Sequence, residues 1–208
     1  YAATLVLLVV LPRALLAGVA HFRAQKQAKN FPLDLNQPYF QKLLTSLGGA
    51  PGTLRVLPYS FTVDEARDKG LHLLASLLLG EQARLMLRPA IAYGAEPQDV
   101  LRDFSPNEAE ATLTAVLFNL AATPENENHG VILDYLVRES ARGIAVLVDE
   151  SGYLERLGDQ GGGQARMAER KALWQQFCSF HKAPANFVNL LKPDVSALDS
   201  GLSLSAKP

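Results

Sequence analysis

Hydrophobic positions divide this chain into two regimes. The first twenty residues, YAATLVLLVVLPRALLAGVA, form one apolar run with a single charge, Arg13. From about residue 53 onward, short apolar runs alternate with stretches of helical periodicity. The runs at 54–57, 85–93, 113–120, 144–148 and 187–191 are continuous rather than alternating, the pattern of strands covered on both faces. They predict five strands. Between the first two, Leu71, Leu74, Ala75 and Leu78 share one helical face, and Thr62-x-x-Glu65 ahead of them has the spacing of a capping box. Thr123-Pro124 sets an N-cap and a first-turn proline before Val131, Ile132, Tyr135 and Leu136. Trp174, Phe177, Cys178 and His181 follow the i, i+3, i+4, i+7 rule. A short helix is expected at 97–104, with Ser105-Pro106-x-Glu108 opening a further turn. Strand–helix alternation predicts an α/β fold: a three-layer, mostly parallel sheet of about five strands, Rossmann-like or resembling a degenerate P-loop domain.

The apolar start changes that picture. A bilayer core of about 30 Å takes roughly 20 apolar residues in one helix. Residues 1–22 therefore read as a transmembrane helix with a truncated start, in which Pro12 and Gly18 are tolerated. A cleaved signal peptide would carry its charges ahead of the apolar run, and here they follow it. Arg23, Lys26 and Lys29 come directly after the span, and a Lys/Arg excess marks the cytoplasmic side. Their spacing of three also lines them up to meet anionic headgroups. Residues 23–52 read as a juxtamembrane helical connector, broken by Pro32 and Pro38 and closed by Gly48-Gly49-Ala50-Pro51-Gly52. The cytoplasmic α/β domain then covers 53–192, with a flexible loop at 159–164 and a small, polar, flexible tail at 193–208.

Composition narrows the chemistry. The net charge of −1 lacks the basic excess of a nucleic-acid binder. A single cysteine, Cys178, excludes an internal disulfide framework and a cysteine-based zinc cluster, and its place on the Trp174 face suits core packing. His72 lies in an apolar helix, and His181 ends one, where a positive charge suits the dipole.

In open α/β sheets, ligands bind beyond the carboxyl ends of the strands. That rule selects Ser60 after the first strand, Asn119, Thr123, Glu125, Glu127 and His129 after the third, and Asp149, Glu150 and Ser151 after the fourth. Two carboxylates and an imidazole in the 123–129 loop suit acid–base work or a hard cation. The same residue types also gather at helix starts simply to cap N–H groups. Asp149-Glu150 after a Val-rich strand resembles an acidic Mg²⁺-positioning pair, which needs a phosphate loop. The segment PYSFTVDEARDKG contains neither G-x-x-x-x-G-K-[ST] nor G-x-G-x-x-G, and the chain has no G-x-S-x-G elbow. No catalytic set is complete, and no metal or cofactor is implied.

The blocks LPRALL, PLDLNQPYF, RVLPYSF, VLFNLAATPENENHG, AVLVDESGYLERLG and ALWQQFCSFH together resemble an uncharacterised family of bacterial inner-membrane proteins, defined as a domain of unknown function. The resemblance runs through nearly the whole chain. It implies an inner-membrane location, a longer protein with a membrane hairpin ahead of this domain, and a partner, since such proteins are often encoded beside a predicted membrane-associated GTPase. It supplies no catalytic residues. The expectation is a membrane-anchored, non-enzymatic scaffold or regulator of that GTPase, its other partners being the lipid bilayer and a second copy of itself. The alternative is a nucleotide- or metal-binding sensor or enzyme built on the strand-end loops.

Overall fold

Apolar strands with no polar face need cover on both sides, and the chain supplies it from its helices. The computed structural model describes residues 13, 17, 51–101, 111–140, 142–157, 162–194 and 202–205. The chain divides into two compact units, Tyr1–Leu35 and Asn36–Pro208. The span expected at 1–22 and the connector at 23–52 fall almost wholly outside the described residues, as do Arg23, Lys26, Lys29 and the turn expected at 105–108. Among the described residues no helix is long and apolar enough to cross a membrane.

In the second unit the elements are β1 (Thr53–Pro58), α1 (Glu65–Leu79), β2 (Arg84–Leu87), α2 (Pro97–Val100), β3 (Leu113–Asn119), a π turn (Asn126–Gly130), α3 (Val131–Glu139), β4 (Ala145–Asp149), α4 (Ser151–Leu157), α5 (Gly163–Phe180) and β5 (Ala185–Val188). The five strands form one sheet in the order β2-β1-β3-β4-β5, every pair parallel. The α/β class and the five-strand parallel sheet are therefore as the sequence predicts.

The edge strands β2 and β5 are only partly buried rather than covered on both faces as expected, because each has a neighbour on one side only. Alternate residues of each central strand, by contrast, enter opposite cores. Leu54 and Val56 of β1, Ala115 and Leu117 of β3, and Leu147 of β4 pack on one face against Leu71, Leu74, Ala75 and Leu78 of α1. Leu57, Val116, Phe118, Val146 and Val148 enter the other, against Ile132, Leu133 and Leu136 of α3 and Trp174 and Cys178 of α5. Each of the buried Val, Leu, Ile and Phe side chains among them contributes roughly 1.5–3 kcal/mol by leaving water.

Several boundaries differ from the hydropathy reading. β2 stops at Leu87, although the apolar run continues to Tyr93. Pro89 has no N–H for the ladder. The chain bows out there and rejoins β1 at a single bridge, Tyr59 to Ile91. β5 begins two residues earlier than its apolar run and ends where the Asn189 side chain accepts bonds from the Leu191 and Lys192 N–H groups. Helix α1 is capped by Asp64, which accepts from the Arg67 N–H at 2.8 Å, so Thr62 is not its cap. Thr123-Pro124 does not start a helix either. The chain stays extended through Glu125 and then forms the π turn. α2 ends at Val100, short of the expected 104. Gln164, expected in a flexible loop, lies inside α5, which is entered through left-handed Gly162 (φ 86°).

The expected flexible tail also contains ordered chain. Leu202 is buried, Leu204 bridges Ala145 antiparallel, and Ser205 exchanges bonds with Ile144 at 2.8 and 3.0 Å. Asn186 holds the same segment through both main-chain groups of Ser203, at 2.8 and 2.9 Å. Small, polar residues read as tail because their partners lie on strands far away in sequence.

Candidate functional site at the carboxyl end of the sheet

With all strands parallel, their carboxyl ends share one edge, and the winding direction reverses between β1 and β3. That reversal is the place where doubly wound sheets bind ligands. Tyr59 and Ser60 arrive there from β1, and Asn119 to His129 from β3.

The loop after β3 is pinned from beneath. Asn119 turns its own side chain onto the Ala121 N–H at 2.9 Å. Helix α5 holds the next residues: Arg170 donates to the Ala121 carbonyl at 2.9 Å and to Thr123 Oγ1 at 3.4 Å, and the Trp174 indole donates to Ala122 at 3.1 Å. Asn119 and Thr123 thus shape the loop.

His129 then turns inward. Its ring is 3% exposed and lies among Tyr59, Phe118 and Trp174, with centroids 4.9, 5.4 and 5.5 Å away. Nδ1 accepts the Glu125 N–H at 3.3 Å, which leaves the proton of the neutral ring on Nε2. Burial pushes its pKa below the ordinary histidine value, and Glu125 opposes this more weakly. His129 is accordingly a neutral aromatic-core residue that fixes the entrance of the π turn.

Above it, in solvent, Tyr93 donates its phenol to Glu125, and Asn128 Nδ2 donates to both, at 2.8 Å to Tyr93 and 2.7 Å to Glu125. The Tyr93 and Asn128 bonds hold the Glu125 carboxyl below its usual range, and the same Glu125 bond raises the Tyr93 phenol. Tyr59 accepts the N–H of left-handed Gly94 at 3.2 Å, and Ser60, exposed and at φ 47°, donates its N–H to Ile91 at 2.7 Å. Glu127 is exposed.

Asp149 belongs to a second group. It is 1% exposed, and both oxygens are engaged. Oδ1 accepts the N–H groups of Ser151 and Leu190, each at 3.1 Å. Oδ2 accepts Ser151 Oγ at 2.7 Å and Arg67 Nε at 3.2 Å. Arg67 also pairs with Asp64 and lies 3.8 Å from Glu155. Asp149 therefore ties β4 to α1, to the start of α4 and to the chain leaving β5. Glu150 is turned aside into an ion pair with Lys171 at 2.5 Å.

The nine sequence-selected residues thus fall into separate places. Glu125 and His129 meet, as do Asp149 and Ser151. Among the described residues no group of three His, Cys, Asp or Glu could hold a metal ion. Ser151 Oγ is buried as a donor to Asp149, and burial pushes the Cys178 thiol up to about 12, far from a reactive thiolate. Tyr59, Tyr93 and Asn128 lie on loops that the strand-end rule selects, though not among the site residues it gave, and Arg67 was missed altogether. Tyr93-Gly94 at the end of an apolar run was a usable signal for the first group. Arg67 had none, since its partner Asp149 lies 82 residues away.

The start of α1 bears on phosphate chemistry. A helix N-terminus after β1 is where nucleotide-binding sheets place a phosphate. Here the Asp64 carboxylate occupies it, with Glu65 and Asp68 in the first turn. The main-chain bond from Arg67, with that side chain's charge, holds the Asp64 carboxyl below its usual value, so an anionic ligand there meets negative charge. Compared with known proteins, the chain matches no protein-family model and no curated protein.

Proposed function

We propose that this chain is a membrane-anchored, non-enzymatic α/β module that serves as a scaffold or regulator of a membrane-associated GTPase at the bacterial inner membrane. One observation carries the non-enzymatic part. The strand-end carboxylate best placed for metal or phosphate chemistry, Asp149, has both oxygens engaged inside the domain. The self-capped, acidic start of α1 adds to it. In this reading the domain keeps the frame of a nucleotide-binding sheet without its phosphate loop. The apolar run 1–22 and the basic residues behind it support the anchor and a cytoplasmic domain. The GTPase is what the resemblance of the sequence blocks to the inner-membrane family implies.

The alternative is a ligand-binding sensor at the β1/β3 reversal, favoured by the exposed Tyr93–Glu125–Asn128 group. A thermal-shift series with GTP, GDP, ATP and Mg²⁺ separates the two. A ligand at 100 times its Kd adds about 2.7 kcal/mol, several degrees for a domain of this size. The scaffold reading expects no shift. A saturable shift abolished by Glu125→Gln with Asn128→Ala overturns it in favour of the sensor. Detergent co-purification tests the partner: recovery of a GTPase with the whole chain is expected, and its repeated absence counts against the pairing.

A further inference from the structure

We draw no further inference here: the strongest candidate, the pair of shallow apolar grooves on either side of Leu191 between α1, α4 and the chain leaving β5, is an unpartnered face, and nothing in the structure shows what covers it.

Discussion

Asp149 and His129 show how a polar side chain at a strand end can serve the fold. Four bonds converge on Asp149, from an arginine, a hydroxyl and two main-chain N–H groups. Removing the carboxylate leaves the buried N–H groups of Ser151 and Leu190 without their acceptor, at a cost of roughly 1–3 kcal/mol each, while Arg67 keeps Asp64. Asp149→Ala is therefore expected to lose stability on that scale in urea unfolding, and a loss under about 1 kcal/mol, that of a single ordinary hydrogen bond, would contradict the tie described here. His129 acts through protonation. Unfolded, it takes up a proton near the ordinary value of 6.5, while burial holds the folded value lower. Between those values the unfolded chain binds more protons, so stability is full above about 6.5 and falls as pH drops through the folded value. Asp64 and Glu125, whose values lie below 3.8 and 4.5, lose their contributions only in more acid solution. His129→Asn keeps an acceptor for the Glu125 N–H and removes the titration. Its unfolding free energy is expected to change less between pH 7 and pH 5 than that of the parent chain. Equal slopes would assign the effect to another group.

Elements here are spaced by main-chain contact as much as by side chains. At Gly70 an added Cβ would lie 1.9 Å from the Leu190 carbonyl oxygen, so α1 touches the chain leaving β5 backbone to backbone. Alanine is the better helix former by about 1 kcal/mol, yet the clash falls on main chain that also donates to Asp149. Gly70→Ala is expected to destabilise by roughly 1–3 kcal/mol. Gly152, in α4, is the control: its Cβ would meet only the end of the Arg67 side chain, at 3.4 Å. Gly152→Ala should be neutral or mildly stabilising, and paired melting curves check both. Hydropathy marked the five strands and the buried face of α1, because even a partly buried strand carries a short continuous apolar run. It failed at boundaries such as Asp64 and Pro89, where one cap or one missing N–H decides.

For the whole molecule, the anchor is the decisive proposal. Arg23, Lys26 and Lys29 recur every third residue, and each basic residue near an anionic surface contributes about 1 kcal/mol. If they hold the connector on the bilayer, replacing all three with Gln should speed proteolysis in membranes between residues 30 and 38. Unchanged cleavage with orientation retained would reduce them to a stop signal. Removing residues 1–22 should move the chain from the membrane fraction to the soluble one, and continued membrane retention would contradict the anchor.

What the sequence alone determined was class and count: an α/β domain with five strands and helices between them. Period, run length and turn residues are local properties, readable along the chain. Strand order was decided only in three dimensions, because every buried strand presents the same apolar surface and nothing in its own residues selects a neighbour. The fate of the polar strand-end residues was settled the same way. Asp149 looked like a site because its bonds to Arg67 and Leu190 span 82 and 41 residues. The aromatic surroundings of His129 likewise come from β1, β3 and α5. Such partners are set by the packing of the sheet, so a residue can be recognised as polar from the sequence, but whether its bonds are spent inside the fold is known only once the strands have met.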